Sequence, residues 1–313
     1  MKVWNGLDSY PDDGPQVVAS IGNYDGVHLG HRAILDEVVA AARQRRVPSL
    51  LITFEPHPLS VVAPERELSR LQTRRQKLEQ IERTGLTDLL IVEFDRRLAS
   101  LTGEQFFAEV LGPRLRFAAL FVGDNFRFGH GRSGNLALLS RIGTAQGFEV
   151  CGIPAIEVDG RTVSSSAVRR AVQLGDFDTA NRMLGRPFAL GGVVVAGEGR
   201  GRKLDFPTAN VEVENELLPA AGVYVTETVL LASRWPSMTN VGVRPTFGKG
   251  ELTVESHLFE FEGDIYGESV ELRFLARIRD EQRFANAIDL GDQIARDRAA
   301  AEAYFQNVRL QAP

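Results

Sequence analysis

The decapeptide GNYDGVHLGH at residues 22–31 constrains this chain more than any other stretch. An apolar run, Val17-Val18-Ala19-Ser20-Ile21, precedes it, and Ile34, Leu35, Val38, Val39 and Ala42 follow at helical spacing. The decapeptide is therefore a strand-to-helix turn, with the helix read from residue 33. Gly22, Gly26 and Gly30 lack a Cβ, which admits unusual dihedrals and lets a backbone or a phosphate come close. The helix start points unpaired amide groups and the positive end of its dipole at the same place. The sequence thus predicts a phosphate seat, with Asp25 beside it.

His28 and His31 stand three apart across the helix start, so both imidazoles can face the seat and donate to phosphoryl oxygens. A Walker loop requires a Lys after its glycines, and none is present. The plainer alternative is two polar residues at a helix start. The H-x-G-H spacing after a strand resembles the signature of the nucleotidylyltransferase superfamily. That resemblance implies that both histidines stabilise a pentacoordinate phosphorus during attack on the α-phosphate of a nucleotide.

Strands and helices alternate through the first half. Residues 17–21, 49–54, 88–92, 118–123 and 148–153 read as strands; 33–45, 74–84, 103–111 and 136–146 read as helices. Such alternation predicts an α/β unit with a parallel sheet, helices on both faces and ligands at the carboxyl ends of the strands. Thr53-Phe54-Glu55-Pro56-His57-Pro58 follows the second strand, two prolines stiffening the loop that presents His57. Gly123-Asp124-Asn125-Phe126-Arg127-Phe128-Gly129 follows the fourth. Asn125 and Arg127 there suit a polar or anionic group, and a phenylalanine such as Phe128 suits stacking on an aromatic ring. The alternative for either loop is a rigid turn over a core aromatic. Ser164, Ser165 and Ser166 with Arg169 then open another helix, as a plain serine cap or as a second clamp on a polyphosphate.

After Leu174 the texture changes. A short polar helix is expected at 176–184. Beyond Gly185-Arg186-Pro187, Val-rich segments at 190–195, 211–213, 223–231, 238–243, 252–259 and 270–276 alternate with Gly, Pro and Asn. This punctuation predicts a closed antiparallel barrel, with a last helix at 287–308 packing through Ile288, Ile294, Ala301 and Phe305. The expected domains are residues 1–185 and 186–313.

The barrel half carries a second Gly-rich loop in which Gly199, Gly201, Arg202 and Lys203 suit phosphate charge, or form a solvated hairpin tip. Thr208 and Asn210, two apart in an extended segment, share a face. Neutral oxygens so placed suit a Mg²⁺ that keeps several waters and shares phosphate oxygens with the substrate. Asn240, Arg244 and Glu255 complete the set, Glu255 being otherwise an ordinary surface residue of a strand.

Composition excludes some classes. A formal charge of −5 argues against a nucleic-acid partner held mainly through phosphates. One cysteine, Cys151, cannot form an intrachain disulfide, which favours a reducing cytoplasm, and it reads as a buried core thiol. No signal-peptide pattern and no run of roughly 20 apolar residues is present, so no membrane is expected.

Taken together, GNYDGVHLGH, TFEPHP, VGDNFRFGHGR, VSSSAVRRAV, GRKLDFPTAN, NVGVRPTFG and VESHLFEFEGDIYGESVELRFLARIRDEQRF resemble, in order and spacing, the bacterial bifunctional riboflavin kinase/FAD synthetase family. The resemblance implies a Rossmann-like nucleotidylyltransferase domain that transfers AMP from ATP to FMN, and a barrel domain that phosphorylates riboflavin to FMN. It implies that Asn125 binds FMN or metal, and that the segment from Ser164 to Arg169 holds ATP phosphates. It implies further that Thr208 and Asn210 bind Mg²⁺ and ATP, and that Glu255 is the base for the ribityl hydroxyl. Other H-x-G-H domains adenylylate nicotinate mononucleotide or transfer CMP to alcohol phosphates, but these have no reason to carry the barrel half. Against the family pattern, Tyr24 stands for Phe, Ser166 and Ala167 for Thr and Arg, and Asp205 for Gly. The tyrosine adds a hydroxyl that needs a partner.

Overall fold

In the computed structural model, residues 1–11, 13–66, 68–197, 206–244 and 251–311 are described, with 243, 244, 251, 252, 287 and 308–311 described by their backbone alone. The chain forms two compact units, Met1–Ser165 and Ser166–Pro313.

The first unit is built on a six-stranded parallel sheet. Its strands are β1 (Lys2–Asn5), β2 (Val17–Ile21), β3 (Ser49–Glu55), β4 (Asp88–Glu93), β5 (Phe117–Gly123) and β6 (Glu149–Ile153), in the order β1-β4-β3-β2-β5-β6. Helices α1 (Leu29–Arg45), α2 (Arg74–Glu82) and α3 (Leu136–Gln146) cover it, and residues 103–111 form a short α-helix that continues as a π-helix. Alternation within the strands separates two cores. Val17, Ala19, Leu50, Ile52 and Leu120 meet Phe106, Phe107, Leu111 and Leu139. Val18, Leu51, Leu89 and Ala119 meet Leu35, Val38, Val39 and Ile81 on the other side. The chain runs outward from β2 through β3 to β4 and then crosses to β5 on β2's other flank. The crevice between β2 and β5 is therefore the switch point at which such sheets take ligands.

The expected strands of this unit match within a residue. The edge strand β1 is an addition: only four residues long, it pairs with β4, and Trp4 Nε1 donates to Asp88 Oδ1 at 2.8 Å. Helix α1 begins at Leu29 rather than residue 33, because the His28 side chain caps it before the apolar periodicity starts. Cys151 is half-buried rather than buried. Its Sγ lies 3.3 Å from Glu149 Oε1, and burial followed by that carboxylate pushes the thiol up to about 11, so it stays protonated.

The second unit is a closed antiparallel barrel. Helices α4 (Ser165–Leu174, starting on the last residue of the first unit) and α5 (Phe177–Leu184) lead into β7 (Phe188–Val195), β8 (Ala209–Val213), β9 (Gly222–Leu230), β10 (Ser233–Arg244), β11 (Glu251–Leu258) and β12 (Ser269–Asp280). The strands close in the order β7-β8-β11-β10-β9-β12. The stretch expected as a polar helix is amphipathic: it buries Phe177, Ala180, Met183 and Leu184, with Phe177 stacked 4.9 Å from Phe274. That packing places α5 with the barrel, so the compact boundary falls upstream of residue 185, where the composition changes.

Helix α6 (Ala287–Gln311) packs on β9, β10 and β12 through Ala301, Ile294 and Phe305. Ile288, expected in that contact, is 75 % exposed, because the first turn of the helix projects beyond the apolar cluster. Polar contacts fix the helix further along: Arg279 Nε lies 3.0 and 2.9 Å from the two carboxylate oxygens of Asp297, whose Oδ1 also accepts from Gln293 Nε2 at 2.8 Å. Asp297 is 2 % exposed, and removing one partner of a buried, well-hydrogen-bonded ion pair leaves the other uncompensated. Asp297→Ala should therefore lower unfolding free energy by about 3 kcal/mol, measured by chemical denaturation. A loss below about 0.5 kcal/mol would show that solvent reaches Arg279 and replaces the carboxylate.

Candidate functional site

At the carboxyl end of β2 the backbone takes an unusual course: φ is 52° at Tyr24, 86° at Gly26 and 38° at Val27. A Cβ on Gly26 would come within 2.6 Å of Leu71, so this position requires glycine for space as well as dihedral. Contacts around the turn hold it. Asp25 Oδ1 accepts from Leu71 N at 2.9 Å, and the Asp25 carbonyl accepts from Ser165 Oγ at 2.8 Å. Asp25 is thus tied into the turn's own scaffold. The Tyr24 hydroxyl finds its partner in Ser20 at 2.6 Å. Burial raises the Tyr24 phenol well above its ordinary value, so it remains neutral.

The turn delivers the histidines. His28 Nδ1 accepts from His31 N at 3.3 Å as the cap of α1, which leaves the proton of the neutral ring on Nε2. The rings of His28 and His31 stack at 3.6 Å with 14° between planes, and Tyr24 lies against His31 at 4.6 Å. A Cβ on Gly30 would sit 3.3 Å from the His28 ring, and one on Gly22 would sit 2.9 Å from Tyr24, so both glycines make room for the rings. Two imidazoles and a helix N-terminus therefore converge, an arrangement that suits charge developing on a phosphoryl group.

The other expected residues of this unit occupy the flanking strand ends. His57, after β3, caps the short helix Pro58–Val62 through Nδ1, which accepts from Leu59 N at 3.2 Å. Asn125 and Arg127, on the exposed turn after β5, are followed by Phe128, which stacks on Phe126 at 5.4 Å and meets Phe106 edge-on. Phe128 is thus at least partly a core aromatic. Of the serine cluster, Ser165 is joined to the turn; Ser166 and Arg169 belong to α4 in the second unit, Ser166 exposed. Sequence reasoning missed Lys77, whose Nζ donates to the Asn23 carbonyl at 2.6 Å and Thr53 Oγ1 at 2.9 Å. Being one of only four lysines was its single signal.

In the barrel, cross-strand register builds a second cluster. Asn210 pairs with Glu255, and Glu255 with Asn240, so three side chains from β8, β11 and β10 form one row. Thr208 Oγ1 approaches Glu255 Oε2 at 3.4 Å, joining the row from the segment before β8. A Cβ on Gly197 would fall 2.0 Å from Asn210 Nδ2, so only glycine lets that amide lie over the backbone. The donors gathered here are hydroxyl, amide and carboxylate, which suit a hard cation such as Mg²⁺. Among the described residues no group of three or more His, Cys, Asp or Glu is arranged for a metal. Gly199, Gly201, Arg202 and Lys203, with Asp205, lie outside the described residues. Arg244 ends β10, paired with Glu251.

His257, two residues after Glu255, holds the approach to this row: Nδ1 is 2.7 Å from the Pro207 carbonyl. Nε2 is buried with no hydrogen-bond partner among the described residues. Burial, chiefly, lowers its pKa below the ordinary 6.5. The folded ring therefore resists protonation while the unfolded one binds a proton, so its contribution to stability is present above about pH 6.5 and lost as pH falls through the folded value. His257→Gln should flatten the decline in melting temperature between pH 7.5 and 5.5 relative to the parent chain; parallel curves would mean that other groups set it.

Comparison with known proteins bears on both clusters. The FAD synthetase family model matches residues 11–167, and the riboflavin kinase model matches residues 184–305. A bifunctional riboflavin kinase/FMN adenylyltransferase of Escherichia coli (strain K12) is 39 % identical over 96 % of this chain and 95 % of its own length. One from Pseudomonas fluorescens is 40 % identical over 97 % of each. A solved structure from Streptococcus pneumoniae, described as a macrolide-efflux protein, aligns with a TM-score of 0.88 at 28 % identity, covering 96 % of this chain and 99 % of that one. Among the described residues of this chain, no helix is long and apolar enough to cross a membrane.

Proposed function

The chain belongs to the bifunctional riboflavin kinase/FMN adenylyltransferase family, and on that premise we propose which residues carry each of its two reactions. It phosphorylates riboflavin with ATP to give FMN, and it adenylylates FMN with ATP to give FAD and pyrophosphate. The parallel-sheet unit is assigned the second reaction and the barrel the first, in keeping with the residues matched by each family model.

In adenylyl transfer a phosphate oxygen of FMN attacks the α-phosphorus of ATP, and the bond to the pyrophosphate oxygen breaks. Negative charge grows on the non-bridging oxygens of the five-coordinate phosphorus. The observation that carries the assignment is the stacked His28–His31 pair at the N-terminus of α1, held by a turn the chain adopts only under constraint. His28 donates from Nε2, and the α1 amides add further donors. Asn125 and Arg127 contribute to binding FMN from the loop after β5, and His57 from the loop after β3. Gly22, Asp25 and Gly30 shape the seat. Ser164, Ser165, Ser166 and Arg169 clamp the ATP phosphates.

In the kinase the terminal ribityl hydroxyl attacks the γ-phosphorus and ADP leaves. Glu255 orients that hydroxyl and takes its proton. Its place in the row with Asn210 and Asn240, within reach of Thr208, supports this role. Thr208 and Asn210 would hold Mg²⁺, which, when bound, neutralises polyphosphate charge. Gly199, Gly201, Arg202 and Lys203, as a Gly-rich basic loop, and Arg244 add phosphate contacts. The single cysteine and the charge of −5 support a reducing cytoplasm and small-molecule partners without nucleic acid.

Purified protein given riboflavin, ATP and Mg²⁺, with FMN and FAD separated by chromatography, tests the whole reading. In His28→Ala or His31→Ala, losing one preorganised donor to a transition-state oxyanion should slow FAD formation roughly 100- to 1,000-fold. FMN formation from riboflavin should continue. Near-normal FAD output would remove these histidines from the chemistry.

Glu255→Gln tests the other half, since it keeps size and removes the basic oxygen. Riboflavin phosphorylation should fall about 100- to 10,000-fold with little change in flavin affinity, because the loss is confined to the transition state. Supplied FMN should still become FAD. Normal phosphorylation across neutral pH would leave Glu255 a polar strand residue.

A further inference from the structure

We propose that Lys77 is a positioning residue for adenylyl transfer: its ammonium holds the Asn23 carbonyl, and thereby the turn that presents His28 and His31. This rests on the assignment of those two histidines to the phosphoryl group.

The turn needs holding. Non-glycine residues rarely adopt positive φ, and a β-branched one such as Val27 is a genuine outlier there. Such backbone persists only where its surroundings over-determine it. Within the strained run, Asp25 is tied to Leu71 and Ser165, and Tyr24 to Ser20. The carbonyl just before the run, that of Asn23, is held by a separate device. Lys77 Nζ donates to it at 2.6 Å and Thr53 Oγ1 donates to it at 3.2 Å, while Lys77 also donates to Thr53 Oγ1 at 2.9 Å. The three groups form a closed triangle at the ends of β2 and β3.

Each corner comes from a different element, which is what makes the triangle a clamp. Thr53 is fixed in β3, 2 % exposed. Lys77 is fixed in α2, whose start is set by a capping box in which Thr73 and Gln76 bond reciprocally. The lysine is half-buried, and desolvation of its ammonium draws the pKa down to about 8 against the opposing pull of Glu55 and Asp25, with Arg70 adding to the lowering. A partly desolvated cation is tolerated because it is hydrogen-bonded and has carboxylates nearby.

The path to the chemistry is short. Asn23 precedes Tyr24, whose ring rests on His31 at 4.6 Å, and His31 stacks on His28 at 3.6 Å. Releasing the Asn23 carbonyl frees the turn to relax toward ordinary dihedrals, carrying Tyr24 and both imidazoles with it. A displacement near 1 Å in such a constellation costs on the order of 100-fold in rate.

The test uses the full chain with FMN, ATP and Mg²⁺. Lys77→Met should lower kcat for FAD formation by about 10- to 100-fold, with KM for FMN and ATP within about twofold. Riboflavin phosphorylation by the same preparation should be unchanged. Thr53→Val, which removes only the shared hydroxyl, should give a smaller fall in kcat, and Thr53→Ser should restore it. The double variant should be no slower than Lys77→Met, because both substitutions act through one carbonyl. Normal kcat in Thr53→Val and Lys77→Met, or a change confined to KM or melting temperature, overturns the proposal. Should Lys77→Met fail to fold, the Thr53→Val and Thr53→Ser pair decides alone. Harmless His28→Ala and His31→Ala variants would overturn the histidine assignment, whereas kcat in the Thr53 pair would still report whether the clamp serves the reaction.

Discussion

Burial of both faces of the parallel sheet governs everything else in the first unit. Val17, Val18 and Ala19 of β2, and Leu50, Leu51 and Ile52 of β3, are inaccessible to solvent, their side chains divided between two separate cores. A sheet covered in this way can offer chemistry only where its strands end. All six strands run the same way, so the loops after β2, β3 and β5 gather at one edge. The crossing from β4 back to β5 opens the crevice beside the turn that carries the histidines. The positions of Tyr24, His28 and His31 thus follow from the strand order, and their orientations from the local constraint on the turn.

The barrel meets the same need by other means. Thr226, Thr228, Ser237, Thr239 and Ser256 point into it, each at most 1 % exposed, and bond to one another at 2.7–3.2 Å. A polar network inside a small barrel is tolerable only when its members are satisfied, and once satisfied it fixes strand register. Register is what the row around Glu255 requires. With Ser256 facing inward, Glu255 must face outward, and pairing then brings Asn210 and Asn240 to either side of it. A slip of one residue would bury the carboxylate and expose the hydroxyls.

Much of this was legible in the sequence because periodicity reports burial. Strands buried on both faces read as unbroken apolar runs, and the barrel strands as short Val-rich pieces between turns. The misses have physical causes. β1 is too short to show a period. The helix from Phe177 to Leu184 carries enough polar residues to look solvated, yet its four buried residues lie on one side. Ile288 continues the apolar spacing of the last helix but extends past its partner surface. Lys77 was invisible because a lysine in a polar helical stretch ordinarily points to water. Only the tertiary approach of α2 to the end of β2 shows that its ammonium meets a backbone carbonyl.

The two reactions share ATP but break it at different phosphorus atoms, and under the proposed assignment the two clusters differ accordingly. At the α-phosphorus both the attacking group and the leaving group are themselves anionic, so the site needs positive potential without a proton acceptor. Two imidazoles at a helix N-terminus, backed by Lys77, are the groups we propose for that task. At the γ-phosphorus the nucleophile is a neutral hydroxyl that must lose a proton, so a carboxylate belongs beside it even though it repels the phosphates. On the same proposal, the oxygens of Thr208 and Asn210 near Glu255 would let a cation offset that repulsion, so a row of oxygen donors, rather than histidines, suits this role on the barrel.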